Sequence, residues 1–191
     1  RQPDRGAVLE LHEIWSSWLW LYDQQGQVHA EKILAVMRYA SQELGVKHFI
    51  LDSLMKCGMA EDDYTAQKTF IDALCTIARD TGMHIHLVAH SRKARDETQA
   101  PGKMDVKGSG AITDQVDNVV IWWRNKAKEN AIQAGEPSDP SKPDALMLID
   151  KQRNGEFEGK VGFWFDPESM QYLEHAGQQP MDMANPSLWS G

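Results

Sequence analysis

Cysteine is scarce in this chain of 191 residues: there are two, Cys57 in a loop and Cys75 in a helical pattern. That is too few for a disulfide framework, and neither has the neighbours that would hold zinc, so both read as reduced thiols. No apolar run is long enough to span a bilayer, and no charged-then-apolar leader is present, so no membrane partner is expected. The chain begins at Arg1 without a methionine, and the expectation is an intracellular, cytoplasmic chain cut at its start. Positive charge is the rarer sign, with 20 Lys and Arg against 28 Asp and Glu, net −8. This argues against coating nucleic acid with the whole surface and leaves a local basic groove as the alternative. No internal repeat is evident. What the chain does have, 41% hydrophobic and 25% charged residues, suits one globular domain with a sizeable core. Periodicity is lost after Gly177, so a domain over 1–176 and a flexible tail over 177–191 are expected.

Taken in order, Val8 to Trp20 is apolar and tryptophan-rich and leads into Leu19 to Asp23, which reads as a buried strand. Ile33, Met37, Ala40 and Leu44 recur at helical spacing before Gly45. His48 to Asp52 has the look of a parallel strand buried on both faces. The acidic run Glu61-Asp62-Asp63 reads as a solvated entrance to a helix whose Phe70, Leu74, Ile77 and Ala78 share a face, closed by Gly82. Ile85 to His90 is a third strand, followed by a long basic stretch. Gly108-Ser109-Gly110 opens a short helix, and Asn118 to Trp123 is a fourth strand. Asn125 to Lys142, with prolines at 137, 140 and 143 in and beside it, reads as a surface excursion. Further strands follow at Ala145 to Lys151, Val161 to Phe165 and Gln171 to Leu173. The fold class is α/β, with a mainly parallel twisted sheet flanked by helices and antiparallel strands at its C-terminal end.

In such sheets ligands sit beyond the carboxyl ends of strands, where Asp52, His90, Arg124 and Lys151 fall. An aspartate after a buried strand suits Mg2+, a hard cation that takes oxygen ligands, often through water. In ALMLIDKQRNG, alternation puts Lys151 and Arg153 on one side of a rigid element, which outlines a phosphate clamp or a plain solvated strand end. His84, His86 and His90 also alternate, so with Asp52 a metal-dependent hydrolase is a rival reading, against histidines that are merely solvated or hydrogen-bonded. The tryptophans Trp15, Trp18, Trp20, Trp122, Trp123 and Trp164 read as core or interface residues rather than a base-stacking platform.

HFILDSLMK, LVAHSRKARDE, DVKGSGAITDQVDNVVIWWRN and LIDKQRNGEFEG stand in the order and spacing of the motor domain of DnaB-like replicative helicases. Over roughly Leu19 to Glu174 the chain resembles that family, and most of all its phage primase-helicases and mitochondrial member. The resemblance implies a RecA-like fold, ATP and Mg2+ as cofactors, and unwinding of DNA by a homohexameric ring that moves on single-stranded DNA, with a primase or other replisome proteins as partners. It implies Asp52 as the magnesium carboxylate, His90 as sensor of the terminal phosphate, and Arg124 and Phe165 on the two faces of the base. It implies Lys151 and Arg153 as cations that reach the neighbouring subunit's nucleotide. Arg92, Lys93, Lys103, Lys107 and Gly108 fall in the loop that, in the family, touches single-stranded DNA in the central channel.

One departure is large. The family's phosphate-binding loop, a glycine-rich turn ending in Lys and Ser or Thr, occurs nowhere in the sequence, because Lys107 precedes the glycines at 108 and 110 and no lysine follows them at the helix start. The family's catalytic glutamate is missing as well. The expectation is the C-terminal part of a motor domain, inactive as an ATPase by itself. A non-catalytic module that binds single-stranded DNA or attaches to a helicase is the alternative, and a RecA-type recombination protein is disfavoured by Lys-Gln-Arg-Asn-Gly.

Overall fold

Two strands of equal length, β1 (His48–Asp52) and β2 (His84–Val88), pair in parallel, with His48 opposite His84 and Asp52 opposite Val88. The computed structural model describes residues 4–24, 26–60, 62–91, 100–106 and 110–183. Between the strands runs α3 (Tyr64–Thr81), started by the Asp63 carboxylate, which accepts from the Ala66 amide at 2.9 Å. Gly82 ends it at φ 69°, a left-handed conformation open to glycine without a Cβ penalty. The buried apolar residues of α3, Phe70, Ile71, Leu74 and Ile77, meet Ile33 and Met37 of α2 (Ala30–Gln42) and the inner faces of β1 and β2. Each such side chain contributes about 1.5–3 kcal/mol on burial, so packing rather than helix propensity holds α3 in place.

β1 corrects one expectation. Phe49 and Leu51 pack on the helical core, but His48, Ile50 and Asp52 face away, and Ile50 is 70% exposed. The pleat sends alternate residues to opposite faces, and among the described residues nothing covers the second face.

The other sheet is an antiparallel meander in the order β3-β4-β5-β6. Its strands are β3 (Asn118–Arg124), β4 (Ala145–Gln152), β5 (Gly159–Asp166) and β6 (Gln171–Leu173). It is entered through the short α4 (Gly110–Gln115). Parallel pairing is thus confined, among the described residues, to β1 and β2, so a mainly parallel sheet is not what these strands build. The free edges of β2 and β3 line one cavity of about 720 Å³ together with α3 and α4.

The stretch after β3 is more than a surface excursion. Asn125 caps a helix, α5 (Lys126–Gln133), by accepting from the Lys128 amide at 3.2 Å. Its helix-forming KAKENAIQ run prevails locally because the prolines all lie beyond it.

Contacts divide the chain into two units, Arg1–Gln25 with Gln179–Gly191, and Gly26–Gln178. The smaller one contains α1 (Arg5–Trp15), whose first turn is capped by Asp4. Leu19 to Asp23 is extended there but forms no strand, and Leu21 is 84% exposed. An apolar run becomes a strand only where a partner edge satisfies its amides, and no described segment supplies one. Among the described residues no helix is long and apolar enough to cross a membrane.

Candidate functional site

Because Asp52 lies opposite Val88, the chain leaves β1 and β2 at the same end, and His90 follows two residues beyond. Both side chains are exposed there. The next residue, Ser91, bridges Val106 in antiparallel fashion and closes the neck of the long basic loop. Arg92, Lys93, Lys107 and Gly108 lie outside the described residues, whereas Lys103 begins a short 3-10 turn, Lys103–Asp105. An exposed carboxylate is an oxygen donor of the kind Mg2+ takes, directly or through water, so Asp52 fits the ion as one ligand.

Lys151 and Arg153 converge on one corner of the fold. The Lys151 ammonium donates to the carbonyls of Thr113 at 2.9 Å and Asp114 at 2.7 Å. Arg153 pairs with the Asp117 carboxylate at 2.8 Å and donates to the Gln115 carbonyl at 3.4 Å. These carbonyls lie at the C-terminal end of α4, which has no basic residue in its own last turn. Lys151 on β4, and Arg153 in the turn just past its end rather than on the strand as alternation suggested, therefore meet the helix's negative end. The Arg153 and Asp117 side chains are 50% and 55% exposed, so that pair is worth at most about 1 kcal/mol and separates readily.

Arg124 and Phe165 belong to a second locality. Antiparallel register sets Arg124 opposite Ala145 and Ala145 opposite Phe163, so these three share a row. Phe165 lies opposite Tyr172, their rings 5.1 Å apart, and Trp122 touches both Phe163 at 5.3 Å and Tyr172 at 6.4 Å. One sheet face thus carries four aromatic rings and a guanidinium, and Trp122 is 57% exposed rather than buried in the core. Arg124 Nε and Nη2 both donate to Glu129 Oε1, at 3.1 and 2.5 Å. That bond, and then the charge of Glu129, hold the guanidinium above its ordinary pKa. Asp144 accepts from the Phe165 amide at 2.9 Å and pairs with Lys128 at 2.7 Å.

The same register puts Lys151 opposite Val119, at the far end of β3 from Arg124. Six residues of β4 separate Ala145 from Lys151, about 20 Å along an antiparallel strand. The structure therefore groups the candidates into Asp52 with His90, Lys151 with Arg153, and Arg124 with Phe165, and keeps the last two groups apart.

The three-histidine reading changes membership. His48, not His90, joins His84 and His86, with ring centroids 4.4–5.6 Å apart and His48 Nδ1 3.2 Å from His86 Nε2. His90 lies beyond the strand, out of its alternation. Among the described residues no group of three His, Cys, Asp or Glu side chains is arranged to hold a metal ion. Sequence reasoning also missed Lys128, Glu129 and Asp144, whose signal was the capped helix after Asn125.

Two comparisons bear on this geometry. A DNA helicase/primase of Enterobacteria phage T3 is 29% identical over 115 residues, which are 56% of this chain and 20% of that protein. The chain thus matches about a fifth of the length of that relative. A family model described as the DnaB-like helicase C terminal domain, a RecA-like domain, matches residues 6–174. With most of the sequence matched, from the first turn of α1 to just past β6, the chain belongs to the DnaB-like helicase C-terminal domain family.

Proposed function

We propose that the chain is the C-terminal part of the motor of an ATP-dependent replicative helicase, which unwinds duplex DNA by moving on single-stranded DNA as a ring. The observation that carries this reading is the 20 Å or so between the Arg124 and Lys151 ends of β3 and β4. Two groups that far apart, with Arg124 and Phe165 placed to hold a base, suit two different nucleotides better than one. Each subunit would then own the base contacts of its own site and lend Lys151 and Arg153 to a neighbour's. The guanidinium would stabilise charge spreading over the transferring phosphoryl oxygens, which makes hydrolysis depend on assembly.

Within one subunit Asp52 would hold Mg2+, directly or through water, and that ion neutralises phosphate charge when bound. His90 would hydrogen-bond the terminal phosphate and pass its state to the loop that begins at the next residue. The loop from Arg92 to Gly108 would face the DNA. The cavity between the free edges of β2 and β3 suits an inserted strand, which would join both sheets into one mixed RecA-like sheet and bring the phosphate loop that this sequence lacks. Without it the chain hydrolyses no appreciable ATP. A hexameric ring, a primase and other replisome proteins are the partners this reading entails.

The test uses the parent protein with its phosphate loop. Arg153→Ala should lower DNA-stimulated turnover by about three to five orders of magnitude. Mixing it with Asp52→Asn subunits should restore part of the activity at mixed interfaces. An Arg153→Ala ring that hydrolyses ATP normally would overturn the assignment.

A further inference from the structure

The base site proposed above stands on two strands, with Arg124 at the end of β3 and Phe165 near the end of β5. Neither is held by its own strand neighbours alone. Consecutive residues in the first turn of α5 serve both: Glu129 takes the Arg124 guanidinium, and Lys128 takes Asp144, which in turn accepts from the Phe165 amide. That turn is itself fixed at three points. Asn125 caps it and donates to the Pro143 carbonyl at 3.2 Å, the Glu129 amide returns to the Asn125 carbonyl at 3.0 Å, and Lys128 also donates to the Lys142 carbonyl at 2.6 Å.

The bond to Glu129 has a particular geometry. Nε and Nη2 lie along one edge of the planar guanidinium, and both donate to the same carboxylate oxygen. An edge-on acceptor does not itself cover either flat face, and the arginine side chain remains 63% exposed. A flat cationic face beside aromatic rings is a surface for a planar π system, the chemistry of a nucleobase. Fixing the plane before the ligand arrives spares the rotamer entropy that a free arginine would lose on binding.

We propose that α5 is the brace of the base site, with Glu129 as the positioning residue that holds Arg124 by its edge and Lys128 acting through Asp144 on Phe165. This rests on the base-site reading above and assigns a task to a helix that carries none in it.

Adenosine is the probe, because it is neutral and its affinity does not respond to the bare charge removed with Glu129. Its binding to this chain is followed by saturation-transfer NMR, beside thermal melting of each variant. Glu129→Ala should weaken adenosine about five- to tenfold with little change in melting temperature, since an exposed pair adds little stability. Glu129→Gln, which keeps the acceptor oxygen, should recover most of the affinity, and Arg124→Ala should lose at least as much as Glu129→Ala. Parent-like binding by Glu129→Ala, with loss in Arg124→Ala, overturns the brace and leaves the base site standing. Absence of adenosine binding to the parent chain overturns both.

Discussion

Lys128 Nζ and Asp144 Oδ1 meet at 2.7 Å with side chains only 10% and 21% exposed, whereas the neighbouring Arg124 and Glu129 pair is 63% and 34% exposed. The two pairs, one residue apart on α5, should therefore behave differently. Lys128→Ala strands a largely desolvated carboxylate and should cost about 2–3 kcal/mol, while Glu129→Ala should cost under about 1 kcal/mol. Urea unfolding of both variants measures the difference, and equal losses would mean that Asp144 is solvated as readily as Glu129.

Acid should weaken the β1–β2 pair. Burial, then the charges of His84 and His48, hold the His86 imidazole below its ordinary value of 6.5. The unfolded chain therefore binds more protons as pH falls through that value, so this contribution is complete above about 6.5 and is lost below it. Denaturant midpoints of the parent should fall between about pH 7.5 and 5. His86→Asn should flatten that dependence, and an unaltered slope would place its origin elsewhere.

Under the proposed DNA role, contact concentrates in Arg92 to Gly108, where Arg92, Lys93, Arg95, Lys103 and Lys107 outnumber Asp96, Glu97 and Asp105. Each phosphate neutralised releases counterions, so binding by the intact ring should weaken steeply with salt. Replacing Lys103 and Lys107 by Ala should make the log–log salt slope shallower by about one to two units. Parent-like affinity and slope in the double variant would remove the loop from the DNA path.

His90 stands between a rigid strand end and the bridge from Ser91 to Val106 that closes the loop. Under the role proposed for His90, His90→Ala in the parent protein should keep nucleotide binding while separating hydrolysis from unwinding, because the loop would no longer register the terminal phosphate. Parent levels of both ATPase and unwinding would reduce His90 to an ordinary strand-end residue.

Much of this architecture was legible because it is local. The periodicity of Phe70, Leu74 and Ile77, Gly82 as a stop, and the apolar run that opens β4 at Ala145 each report on a few consecutive residues. What escaped depends on distant neighbours. Among the described residues Leu19 to Asp23 has the composition of a strand but no edge to join, and Ile50 has the composition of a buried residue but no cover. α5 was hidden by the prolines that follow it, and with it went Glu129 and Lys128. At the site, strand-end chemistry pointed to Asp52, Arg124 and Lys151 singly, yet only the β3–β4 register reveals which of them stand apart.

That register has a consequence for counting. If the Arg124 end of the meander serves one nucleotide and the Lys151 end the next, a subunit is half of each of two sites rather than the owner of one. An open string of such subunits then always has one site fewer than it has members, and only closure makes the numbers equal. Turnover per subunit becomes a gauge of whether the ring is shut, rising with the length of an open string and reaching its ceiling on closure.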